Sequence, residues 1–237
     1  MFAFTPLLVL AAIGLANASP HTSSSAAPTS TGAACTSYTI IDTRGTGEAQ
    51  GESRGFTTMN QRIMQQVTGG SRYDTVYPAG YNQDSSQATT DIVNHVNANT
   101  NTCYILEGYS QGAAATVNAM SKLTGAAFNA VRGVILIGDP LHKAGLACNV
   151  DNNGGDTTKN VNGISAAGSA GIPSNWVSKT LDICIKTHLL TVLDLCNQGD
   201  GVCDTTDGSG ITSQHLQYPN DSPTQTLGAN FAISKLK

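Results

Sequence analysis

Apolar positions along this chain alternate between two spacings. Residues 38–42, 73–77, 103–106 and 131–137 are short runs rich in β-branched, aromatic and aliphatic side chains, the composition and length of buried strands. Between them the spacing lengthens to three and four. Phe56, Met59, Ile63 and Val67 mark an amphipathic helix over 55–67, and Ala88, Ile92, Val93 and Val96 mark a second. A third follows the 103–106 strand over 113–123, and Leu227, Phe231 and Ile233 place a last helix within 224–236. Strands and helices taking turns in this way predict an α/β fold: a mostly parallel central sheet covered by helices on both faces, a three-layer sandwich. Residues 149–171, rich in Gly, Asn and Ser, read as loop around a short element. Trp176, with no aromatic neighbour in its segment, reads as a packing residue.

The ends and the composition narrow the setting. The 237-residue chain begins with an apolar run over 6–16 and the small-residue site Ala16-Asn17-Ala18, so 1–18 reads as a signal peptide, too short for a membrane span. The Ser, Thr, Pro and Ala of 19–33 read as an unpacked leader, which leaves 34–237 as a single domain with a sizeable core. Lys and Arg number 12 against 16 Asp and Glu, and a net charge of -4 without basic blocks argues against a nucleic-acid partner. Only 12 % of residues are charged, so Asn, Gln, Ser, Thr and Gly must cover the surface, which suits a secreted, extracellular protein. Cys35, Cys103, Cys148, Cys184, Cys196 and Cys203 are an even number behind a secretion signal and read as disulfides. Cys184 and His188 are four apart, but no further ligand pair is near, so no metal and no other cofactor is expected.

Chemistry is concentrated where the 103–106 strand meets its helix, at Gly108-Tyr109-Ser110-Gln111-Gly112. A strand that turns at once into a helix leaves no room beside the residue at the turn, so glycines flank it and the Ser110 hydroxyl stands exposed. The free N–H groups of the following helix face the place where negative charge would develop. Downstream lie three candidate bases, His142, His188 and His215, and six candidate acids, Asp139, Asp182, Asp194, Asp200, Asp204 and Asp207. In the order nucleophile, acid, histidine, His215 is the preferred base because an acid-bearing loop precedes it. Asp200 is the preferred acid, since a bridge between Cys196 and Cys203 would hold its carboxylate in a tight ring. Upstream, Thr43-Arg44-Gly45-Thr46-Gly47-Glu48 follows the first strand, where a second oxyanion donor belongs.

Gly108-Tyr109-Ser110-Gln111-Gly112, Cys196-Asn197-Gln198-Gly199-Asp200-Gly201-Val202-Cys203 and His215-Leu216-Gln217-Tyr218, with the Asp42-Thr43-Arg44-Gly45-Thr46-Gly47-Glu48 loop, resemble the fungal cutinase family. That family also includes acetylxylan esterases, and the resemblance covers residues 35–237. It implies an α/β-hydrolase fold with no large lid and hydrolysis of carboxylic esters through an acyl-enzyme. Ser110, Asp200 and His215 would be the catalytic residues, and Thr46 and Gln111 would form the oxyanion hole. Ile211 and Leu216 would line the acyl cleft. The resemblance further implies a Cys35 to Cys103 bridge, a second bridge closing the acid loop at Cys203, and an insoluble polyester or lipid ester as substrate; nothing in the sequence argues against a monomer. Acetylated xylan is the alternative substrate. One departure stands out: Leu181-Asp182-Ile183-Cys184 recurs as Leu193-Asp194-Leu195-Cys196, so 185–196 reads as an insertion. Either Cys184 or Cys196 could then close the acid loop, and Cys196 doing so would leave Cys184 to pair with Cys148 or stay free. Loss of that loop's function would reduce the chain to a non-catalytic secreted binding module.

Overall fold

The computed structural model describes Met1 and residues 34–186 and 199–237. The chain divides into two units, Met1–Gly32 and Ala33–Lys237, and the fold below is that of the second. Of the expected signal peptide and leader only Met1 is described, and of the insertion only Ile185 and Lys186; His188, Asp194 and Cys196 lie outside the described residues.

Strands β1 (Tyr38–Thr43), β2 (Gly70–Asp74), β3 (Cys103–Tyr109), β4 (Val131–Ile137), β5 (Asn149–Asp151) and β6 (Thr180–Cys184) form one 6-stranded sheet. Its order is β2-β1-β3-β4-β6-β5 and every neighbouring pair is parallel. Helices α1 (Thr57–Gln66), α2 (Ser86–Ala98), α3 (Gln111–Met120), α4 (Gly125–Ala130) and α5 (Ser222–Leu236) cover it. Successive strand residues point to opposite faces, and the core divides accordingly. Ile41, Leu106, Val134 and Leu136 pack with Ile92, Val96, Val117 and Met120 of α2 and α3. Ile40, Ile105, Ile135 and Ile137 pack with Met59 and Ile63 of α1 and Ala232 of α5. Each large apolar side chain buried this way contributes about 1.5–3 kcal/mol.

Two sequence expectations shift for physical reasons. The strand expected at 73–77 forms at Gly70–Asp74, because the burial that Tyr77 suggested comes from a loop contact. The Tyr77 ring lies under the Arg44 guanidinium, 4.7 Å from its centre, and its hydroxyl donates to the Arg44 carbonyl. Trp176 is buried as expected but has an aromatic partner from far along the chain: Phe128 of α4 meets it edge-on at 4.9 Å.

Cys35 is joined to Cys103, tying the start of the domain to β3. Cys184, at the end of β6, is the residue joined to Cys203, and Cys148 is a buried free thiol whose pKa burial pushes up to about 12. The acid loop is therefore anchored to the sheet itself. Such a closure constrains the unfolded chain by about 3 kcal/mol.

Parallel register sets Asp42 of β1 directly opposite Glu107 of β3, and both carboxyl groups are buried. Ser53 N–H donates to one Asp42 oxygen at 3.1 Å, whereas the other Asp42 oxygen and both of Glu107 meet no donor in hydrogen-bond geometry. Burial, and for Glu107 the charge of Asp42 as well, holds both groups well above the ordinary carboxylate range. A carboxyl raised in the folded state adds stability that is fully present below its unfolded value and lost as pH rises through the folded one. Glu107→Gln keeps the shape, removes the titration and offers an N–H to Asp42. We expect it to raise Tm at pH 8 by about 2–6 °C, a gain that shrinks toward pH 4. Thermal unfolding across that range checks this, and parallel curves for the two proteins would contradict it.

Candidate active site

Ser110 sits between β3 and α3 with φ 55 and ψ -117, a left-handed conformation that is rare for a residue with a side chain. The surrounding structure over-determines it. Ser110 N–H donates to the Ile137 carbonyl of β4 at 3.0 Å, and the flanking glycines permit approaches that no side chain would allow. A Cβ on Gly108 would lie 2.6 Å from the Ala113 Cα, and one on Gly112 would press into the Thr43 carbonyl oxygen of β1. The first turn of α3 is thereby seated on the end of β1.

Three side chains from separate loops meet at this turn. His215 Nε2 is 2.9 Å from Ser110 Oγ, and His215 Nδ1 is 2.9 Å from both Asp200 oxygens. Because Nδ1 faces a carboxylate it carries the proton, which leaves Nε2 to accept from the serine hydroxyl. Asp200 is fully buried and its oxygens are filled by donors: Val202 N–H at 2.9 Å and the Tyr218 hydroxyl at 2.8 Å, besides the imidazole. The His215 backbone is fixed as well, its carbonyl accepting from the Tyr109 hydroxyl at 2.6 Å. Tyr109 is the variable residue of the Gly-x-Ser motif, and nothing in that motif marks it for this contact.

The other candidates are engaged elsewhere. His142 spends its ring nitrogens on Asp182, 2.7 Å away, and on the Thr158 carbonyl at 3.1 Å, all in full burial. Burial alone would lower the His142 pKa, but the charge and contact of Asp182 outweigh it and raise the imidazole to about 9. Asp139 caps the Leu141 N–H at 2.9 Å; burial and the charge of Asp182 hold it well above the carboxylate range. Asp204 and Asp207 lie near Lys186.

Thr46 and Gln111 line one cavity with Ser110, of about 430 Å³. Two charged side chains shape the loop that carries Thr46. Glu48 accepts from Gly45 N–H at 2.6 Å, Ser53 hydroxyl at 2.9 Å and Arg54 N–H at 2.9 Å. The buried Arg44 donates to the carbonyls of Glu48 at 2.9 Å, Thr75 at 3.1 Å, and Tyr77. Thr46 Oγ1 meets both ends of the Gln83 amide, the nitrogen at 3.1 Å and the oxygen at 3.3 Å, and Gln111 ties its own amide to the Gly80 carbonyl at 2.9 Å. Leu141, Val202, Ile164 and Ile211 supply apolar wall to the same cavity. Leu216, expected beside Ile211, is 60 % exposed and outside that lining. Among the described residues no cluster of His, Cys, Asp and Glu could hold a metal ion, and no helix is long and apolar enough to cross a membrane.

The family model described as Cutinase matches residues 34–236. A curated relative, the cutinase of Kineococcus radiotolerans, is 29% identical over 216 residues covering 86% of this chain, and the chain spans 63% of that relative's length. Among solved structures, a cutinase-like protein from Cryptococcus sp. is 55% identical, with a TM-score of 0.78 over 86% of this chain and 97% of the other. The catalytic core of an acetyl xylan esterase from Trichoderma reesei shares the fold at 24% identity, with a TM-score of 0.65 over 85% of this chain and 100% of the other.

The clash at Gly112 is with backbone, which no rotamer change relieves. Gly112→Ala should therefore destabilise the protein by about 3 kcal/mol or more. Chemical denaturation against the native protein measures this; a loss under about 1 kcal/mol would mean that the turn is free to shift.

Proposed function

The chain belongs to the cutinase family, a family of carboxylic ester hydrolases, and on that premise we propose that it is a secreted serine esterase working through an acyl-enzyme. The reading rests on the unbroken contact chain from Ser110 through His215 to Asp200, opening onto a cavity with apolar walls. His215, oriented by Asp200, takes the Ser110 proton as Oγ attacks the ester carbonyl. The oxyanion is held by the N–H groups of Thr46 and Gln111 and by the Thr46 hydroxyl, which in the free enzyme rests on the Gln83 amide. His215 then returns its proton to the departing alcohol. A water molecule, deprotonated by the same imidazole, attacks the acyl-enzyme and releases the acid and Ser110.

The substrates we infer are cutin-type polyesters and short- to medium-chain fatty acid esters. Ile211 and Ile164, 62% and 50% exposed, border a cavity walled further by Leu141 and Val202, which favours an aliphatic acyl group over a sugar-bound acetyl. Every group used comes from this one chain, which fits a monomer. The signal-like N-terminal sequence and the two disulfides among the described residues support an extracellular protein.

Hydrolysis of p-nitrophenyl esters from acetate to decanoate tests both levels of the reading. Ser110→Ala should lower kcat by about 10⁴-fold or more with the melting curve unchanged, and activity surviving it would remove the proposed nucleophile. The native rate should peak at butyrate or longer. A peak at acetate with steep loss beyond it would move the substrate to acetylated carbohydrate.

A further inference from the structure

We infer that Tyr218 is a positioning residue that sets the basicity of His215 through Asp200, an inference that rests on the esterase reading above. The Tyr218 side chain is fully buried, and its hydroxyl stands among four groups. Asp200 Oδ2 lies at 2.8 Å, Ile185 N–H at 3.1 Å, the Ile183 carbonyl at 3.3 Å and Cys203 Sγ at 3.6 Å. A phenol has one proton. The nearest acceptor is the charged one, so the proton goes to Asp200, while the Ile185 N–H fills a lone pair of the phenol oxygen. Burial and the charge of Asp200 both raise the Tyr218 pKa, which keeps it a neutral donor.

The hydroxyl is placed by the fold and not by Asp200 alone. Gln225 of α5 donates to the Tyr218 carbonyl at 2.7 Å, its other amide atom accepts from Met59 N–H at 2.8 Å, and Tyr109 packs edge-on at 5.7 Å. The disulfide between Cys184 and Cys203 brings β6 and the acid loop to the same hydroxyl. Tyr218 thus joins three fixed elements to the carboxylate that faces His215. A carboxylate sharing charge with a phenol donor holds an imidazolium less tightly than one without it. The titratable and charged groups around this network are Asp200, His215 and Tyr109, with Glu48 and Arg54 acting on Tyr109 from the loop beyond; Asp182 of β6 is turned to His142.

Tyr218→Phe removes the donor. The acidic limb of the kcat/KM profile should move up by about half a pH unit, and kcat at its plateau should fall by about tenfold, with KM within about twofold. Replacing Tyr218 by 3-fluorotyrosine keeps every contact and strengthens the donor, so the limb should move down. That second protein decides the matter alone if the Phe variant does not fold. A folded Phe variant with native midpoint and kcat, or a fluorinated protein with an unmoved limb, overturns the inference. Ser110→Ala in the same assay separates the failures. Activity that survives it sinks the esterase reading, whereas Ser110-dependent activity indifferent to Tyr218 sinks this inference only.

Discussion

The close seating of the first turn of α3 on the end of β1 is the constraint from which the rest of the site follows. Parallel register brings Thr43 opposite Gly108, and Gly112 lies against the Thr43 carbonyl. The loop leaving β1, which carries Thr46, then has nowhere to run except beside Ser110. A serine hydroxyl and a polar loop from residues over sixty positions apart share one cavity because two strands are neighbours and a glycine has no Cβ. Arg44 and Glu48 add the rigidity that a loop lacks, since a charge satisfied by fixed backbone groups resists displacement more than a neutral side chain does.

Buried carboxyl groups here fall into two kinds, told apart by the donors around them. Asp200 faces an imidazole, a backbone N–H and a phenol, an arrangement suited to a charged acceptor. Glu107 and Asp139 lack such company, and burial and neighbouring acids hold both well above the ordinary carboxylate range. Asp182 and His142 form a second buried pair, yet they repeat only half of the first arrangement. The ring nitrogen that would have to face a hydroxyl is occupied by a carbonyl.

How much of this could be read in advance depended on sequence distance. The strand, turn and helix around Ser110 were legible because the glycines, the serine and the apolar runs are contiguous, and 131–137 was legible because every position but Arg132 is buried. The edge strand was misplaced by a few residues, since half-exposed β2 carries Tyr73 alone of the run, and the buried Tyr77 beyond it pulls the pattern forward. The choice between Cys184 and Cys196 could not be made from spacing. It turns on where β6 ends in space, and there Cys184 meets Cys203. Tyr109 and Tyr218 stood inside the quoted motifs without a role, because a hydroxyl's partner depends on tertiary packing that no local pattern encodes.

Stability and chemistry in this protein pull in opposite directions along the pH axis. His215 must be neutral to accept from Ser110, so the proposed reaction gains as pH rises. Stability changes the other way. The raised carboxyls of Asp42, Glu107 and Asp139 contribute below their unfolded values and less as pH rises through their folded ones. His142 behaves alike, its contribution being complete below 6.5 and lost as pH rises through about 9. Asp151 and Asp204 guard the acid side: hydrogen bonds outweigh burial and hold both below 3.8, so their contribution disappears only as pH falls beneath that value. Alkaline loss is therefore a matter of buried acids and an ion pair that make no contact with Ser110.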